Sequence, residues 1–103
     1  MIKYSVTKSN NQYKIEVFGH ANQNPYGSDI VCASVSTMLI MTLNLLEKLN
    51  LNSYNNTLPV CEEGKFLVDI NMKNDTAIKI LDNLKESLDM LAITYPKNIK
   101  SVN

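Results

Sequence analysis

Seventeen residues, Ile30 to Leu46, pass without a formal charge. A stretch that apolar must be hidden, either in a bilayer or in the core of a folded domain. A membrane span needs roughly 20 mostly apolar residues. This run is slightly short, carries Ser34, Ser36, Thr37, Thr42 and Asn44, and meets Glu47 and Lys48 at once. It therefore reads as a long helix buried on most sides of a soluble protein, with no membrane role. A helix apolar nearly all round cannot be covered by one sheet, so its spare surface suggests a subunit interface, a homodimer being the simplest.

The rest of the chain supplies the sheet. Ile2, Tyr4 and Val6 alternate with Lys3, Ser5 and Thr7, the period of a half-buried strand. Asn10-Asn11 gives a turn, since Asn tolerates positive φ. Tyr13 to Phe18 reads as the returning strand of a hairpin. The apolar helix starts with Asp29 as N-cap and runs to about Leu49, followed by a polar connection rich in Asn. Leu58 to Glu62 reads as a short strand, and Lys65 to Met72 as another. Asn74 or Asp75 caps a second helix, striped by Ala77, Ile78, Leu81, Leu84, Leu88, Leu91, Ala92 and Tyr95. Pro96 stops it, and Lys97 to Val102 forms a last edge strand. The order ββαββαβ predicts an α+β fold: one mixed, mostly antiparallel sheet with two helices on it. The 103 residues make a single domain spanning 1–103.

Charge and cysteine content narrow the function. Ten basic and ten acidic residues cancel, so no direct nucleic-acid binding by bulk phosphate neutralisation is expected. Cys32, Cys61 and His20 lack any metal-ligand spacing, so neither a metal nor a cofactor is expected. Two cysteines are too few for a secreted disulfide framework. The first residues, MIKYSVTKSN, hold no apolar signal core. A cytoplasmic protein with reduced thiols is the expectation.

The chemistry concentrates around Gly19 to Ser28, a polar loop about twice the usual connection length, set between a strand and a helix. With Asp29 as cap, Cys32 falls in the first helical turn, where unpaired N–H groups and the helix dipole favour a thiolate. His20, entering from the loop, can take the thiol proton. The competing reading is structural: a helix-start cysteine as a small buried hydrophobe, and a loop histidine at the surface. Asp29 favours the cap role, since a carboxylate beside Cys32 would raise the thiol pKa. Ser36 lies one turn beyond Cys32 on the same face. Cys61 reads as structural, though a thiol redox pair with Cys32 would be open if the two sulfurs met.

Gly19-His20-Ala21, Tyr26-Gly27, Asp29-Ile30-Val31-Cys32-Ala33 and Val35-Ser36 together resemble the Prp family, the ribosomal-processing cysteine proteases of bacteria. That family's pattern is a GHA loop followed by G-x-DIVCA-x-VS, and Tyr95-Pro96 matches late in the chain. The resemblance implies a small α/β homodimer that cuts an N-terminal extension from a large-subunit ribosomal protein precursor during ribosome assembly. It implies His20 and Cys32 as the catalytic pair, Asp29 and Ser36 as supporting residues, and Gly19, Ala21, Tyr26 and Gly27 as the substrate-binding loop, which settles when substrate binds. It also implies an apolar pocket near Cys32 for an aromatic pair. Backbone N–H groups of Val31, Cys32 and Ala33 are candidate oxyanion donors. Pro25 and Ser34 depart from the pattern, which touches substrate preference rather than chemistry. The alternative is a non-catalytic ribosome-associated binding module that holds a ribosomal protein without cutting it.

Overall fold

The computed structural model describes residues 1–19, 28–51, 53–56 and 65–103. Its elements run β1 (Ile2–Ser9), β2 (Gln12–Gly19), α1 (Ser28–Lys48), β3 (Ser53–Asn56), β4 (Lys65–Asn71), α2 (Asp75–Thr94) and β5 (Ile99–Ser101). The strands form one five-stranded sheet in the order β3-β4-β2-β1-β5. Only β1 and β5 pair in parallel; the other neighbours are antiparallel. The predicted ββαββαβ order and mixed sheet are therefore present. Each helix links strands that run the same way but are not adjacent, α1 from β2 to β3 and α2 from β4 to β5.

The hairpin turns where Asn-Asn allows it. Asn10 and Asn11 take φ of 53° and 63°, the left-handed pair that matches the twist of a two-residue hairpin. Alternation then sorts the faces. Ile2, Tyr4, Tyr13, Ile15, Val17, Phe66, Val68 and Ile70 are buried against the helices, while Lys14, Glu16 and Asp69 alternate with them on the opposite face. On that face Glu16 pairs with Lys14 at 3.5 Å and Lys65 at 3.4 Å.

Asn74 caps α2, accepting a hydrogen bond from the Ala77 N–H at 3.0 Å. The helix buries Ala77, Leu81, Leu84 and Leu88, the inner line of the predicted stripe. Each of its buried leucines is worth about 1.5–3 kcal/mol of transfer free energy. α1 ends in a Schellman motif. Asn50 has φ 54°, its N–H donates to the Glu47 carbonyl, and the Leu51 N–H donates to the Leu46 carbonyl at 2.9 Å.

Three expectations change. α1 begins at Ser28, so Asp29 lies inside the first turn rather than at the cap. α1 is not buried on most sides: it places Val31, Val35, Leu39 and Leu46 in the core, while Ile40, Met41, Leu45 and Leu49 are exposed. Its length and composition would suffice to cross a membrane, but its inward stripe belongs to the same core cluster as the sheet. Finally, a strand stands at Ser53–Asn56, within the stretch read as a polar connection, while the strand predicted at 58–62 lies outside the described residues. Asn is a poor strand former, and β3 exists because β4 offers it an otherwise unpaired edge.

Candidate active site

β2 delivers the chain to the site. Its last residue, Gly19, pairs with Ile2 across the hairpin and has φ 90°. A side chain there would drive its Cβ into the Met1 carbonyl oxygen, so both the backbone conformation and the space demand glycine. Gly19 is thus the end of a strand, not part of the loop it was grouped with. His20, Ala21, Tyr26 and Gly27 follow it outside the described residues.

The chain re-enters at Ser28 as α1. Val31 and Val35 point into the core and fix the helix's rotation. Cys32, one step round from Val31, is half-buried and packs against the edge of that core. Ser36 follows it by one turn and is also half-buried, whereas Ala33 is exposed. Asp29 sits three residues before Cys32, where a carboxylate faces the positive end of the helix.

The start at Ser28 also sharpens the oxyanion reading. A helix leaves about four N–H groups unpaired at its start. Val31 closes that set; Cys32 and Ala33 lie beyond it and have carbonyls one turn back to bond. Val31 is thus the one candidate donor of the three that the helix end leaves available.

Cys32 itself departs from the expectation of a reduced thiol. Its sulfur is held in a disulfide, and no free cysteine occurs among the described residues. A sulfur in that state is neither nucleophile nor anion. Cys61 lies outside the described residues. No cluster of His, Cys, Asp and Glu suited to a metal occurs among the described residues.

Elsewhere, α1 and α2 leave between them an apolar groove of about 600 Å³, lined by Met38, Met41, Leu45, Ile80 and Leu84. Sequence reasoning did not anticipate a second feature, two tyrosines that tie the sheet to α2. Tyr4 donates to Asp89 and Tyr13 to Asp82. Their partners lie 85 and 69 positions away, beyond any local signal.

The comparisons agree with this geometry. Residues 1–100 match the family model described as cysteine protease Prp. A Staphylococcus aureus protein named ribosomal processing cysteine protease Prp is 32% identical over 88 residues, covering 80% of this chain and 77% of that protein. Two crystal structures of the essential Prp protease from S. aureus are 28% identical to this chain and cover 98% of it and 97% of theirs. The one with a substrate peptide has a TM-score of 0.84, and the one with a covalently linked product peptide 0.82. A Streptococcus mutans protein shares the fold at TM-score 0.82 and 24% identity, over 98% of this chain and 91% of its own.

Proposed function

Because the chain belongs to the Prp family and is a cysteine protease, we propose that it removes an N-terminal extension from a large-subunit ribosomal protein during ribosome assembly, with Cys32 as nucleophile and His20 as its partner. The observation that carries this reading is the position of Cys32 in the opening turns of α1, directly after the segment that begins with His20 at the end of β2.

In its reduced form Cys32 loses its proton to His20, and the helix end favours the resulting thiolate. The thiolate adds to the scissile carbonyl carbon. The oxyanion that forms is stabilised by donors such as the Val31 N–H. His20 returns its proton to the amine as the C–N bond breaks, leaving a thioester on Cys32. His20 then deprotonates water, which attacks the thioester and releases the acid and the thiolate. Asp29 and Ser36 position the first two turns of α1 around the sulfur. A covalent link to a product peptide in the S. aureus relative is in keeping with such a route.

The substrate is a ribosomal protein precursor bound through its extension, with Gly19, Ala21, Tyr26 and Gly27 framing the peptide. The protein works in the cytoplasm as a homodimer through the exposed face of α1, without binding nucleic acid directly. The test is incubation of the reduced protein with a peptide spanning the extension, read by mass spectrometry. Two fragments are expected, and Cys32→Ala, Cys32→Ser and His20→Ala each abolish them with the fold intact. Binding of the peptide without cleavage would leave a non-catalytic module instead.

A further inference from the structure

We propose that Cys32 is silenced by a reversible disulfide to Cys61, so that oxidation closes the site and reduction opens it; this rests on the reading of Cys32 as the nucleophile. Two observations carry it. The Cys32 sulfur is disulfide-bonded, and the chain has two cysteines, so within one chain Cys61 alone can complete the bond. The topology brings the two stretches to the same end of the sheet. Lys65, the first residue of β4, pairs with Phe18, next to the last residue of β2. Cys61 precedes Lys65 by four positions, and β2 leads through the His20 segment into α1. The segment entering β4 therefore starts where the segment leaving β2 departs for Cys32.

The chemistry follows from the nucleophile's own character. A thiolate stabilised for attack on a carbonyl is also the thiol that meets an oxidant first. With hydrogen peroxide as oxidant, the Cys32 thiolate attacks one oxygen and the O–O bond breaks. Cys32 becomes a sulfenic acid and hydroxide leaves. The Cys61 thiolate then attacks the Cys32 sulfur, the S–O bond breaks and a second hydroxide leaves. The two hydroxides take up the two thiol protons, so two thiols and one peroxide become one disulfide and two waters. A dithiol reductant reverses the bond through a mixed disulfide and is itself oxidised. Cys61 also shields Cys32 from irreversible oxidation, because the sulfenic acid is consumed before it meets a second peroxide.

The test uses the full chain, reduced and then treated with a small excess of peroxide, with two readouts. Non-reducing peptide mapping is expected to find Cys32 joined to Cys61. Cleavage of the extension peptide is expected to fall at least about tenfold and to return with a dithiol. Reduced Cys61→Ser should cut like wild type, but after peroxide it should stay inactive when the dithiol is added. The switch is overturned if Cys32 remains open to alkylation in the oxidised wild type, or if protein carrying the bond cuts as fast as reduced protein. Mapping needs no activity, so the two failures separate. A mapped bond in a protein that cuts nothing when reduced sinks the protease reading and the switch with it, while reduced cleavage without the bond sinks the switch alone.

Discussion

Tyr4 on β1 donates its hydroxyl hydrogen to Asp89 on α2 across 2.5 Å, and the Lys85 ammonium holds the other oxygen of the same carboxylate at 2.7 Å. Two turns earlier on α2, Asp82 accepts from Tyr13 of β2 at 2.7 Å, with Lys8 3.7 Å from the same oxygen. Both tyrosine rings are almost wholly buried, so each hydroxyl depends on its carboxylate. Two clamps thus fix the height and rotation of α2 over the sheet. Tyr4→Phe is expected to cost about 1.5–3 kcal/mol, the range for a hydrogen bond to a charged group. Urea denaturation checks it, and a Tyr4→Phe/Asp89→Asn double-mutant cycle should return non-additive costs.

The same clamps give stability a pH dependence at both ends. Burial disfavours ionisation of Asp89, but the hydrogen bonds from Lys85 and Tyr4 outweigh it and hold the carboxyl below the usual carboxylate range. A lowered folded-state pKa means stability that is present above about pH 4 and lost as pH falls further. For Tyr4 and Tyr13, burial first and then the bonds to Asp89 and Asp82 push the phenols up. Raised phenols give stability that is full below about pH 10 and lost as pH rises beyond it. Thermal melts of wild type should therefore fall off at both extremes. Tyr4→Phe should flatten the alkaline limb, and an unchanged limb would remove the phenols from the explanation.

Asn50 closes α1 from the left-handed region, where a Cβ-bearing residue without a local polar group is strained. Asn50→Ala is expected to lower stability by about 1 kcal/mol, while Asn50→Gly stays within about 0.5 kcal/mol of wild type. The side chain is exposed, so no packing change confuses the comparison. Equal losses in both variants would show that backbone conformation is not what the position selects.

What could be read from the sequence was what local chemistry decides. The Asn10-Asn11 turn, the Asn74 cap and the line of Ala77, Leu81, Leu84 and Leu88 each depend on residues a few positions apart. β3 was not legible, because four residues rich in polar side chains become a strand through the edge that β4 presents. Nor were the tyrosine clamps, whose partners meet after the whole sheet has formed. For the site, the helix-start position of Cys32 was legible from the N-cap pattern within one residue. Its disulfide was not, since that depends on where a distant sulfur comes to lie.

α1 carries its exposed apolar residues on the side away from the core, with Ile40 58% and Met41 65% accessible. If this face joins two copies, Ile40→Lys and Met41→Lys should turn a dimer into a monomer in sedimentation at micromolar concentration. Surface changes of this kind alter the intrinsic stability of a chain by about 0.5 kcal/mol or less. A wild type that sediments as a monomer would remove the homodimer from the proposal.

Gly19 joins fold and function in one residue. Its φ of 90° is open to glycine and poorly open to any other residue, and an added Cβ would collide with the Met1 carbonyl oxygen. Gly19→Ala can relax only by pulling the ends of β1 and β2 apart, at about 1–3 kcal/mol. His20 is the next residue, so the strain falls on the group proposed to serve Cys32. Cleavage of the extension peptide should therefore drop well below what the loss of folded protein accounts for, measured at a temperature where the variant is still fully folded by circular dichroism. Full activity per folded molecule would mean that the end of β2 does not set the position of His20.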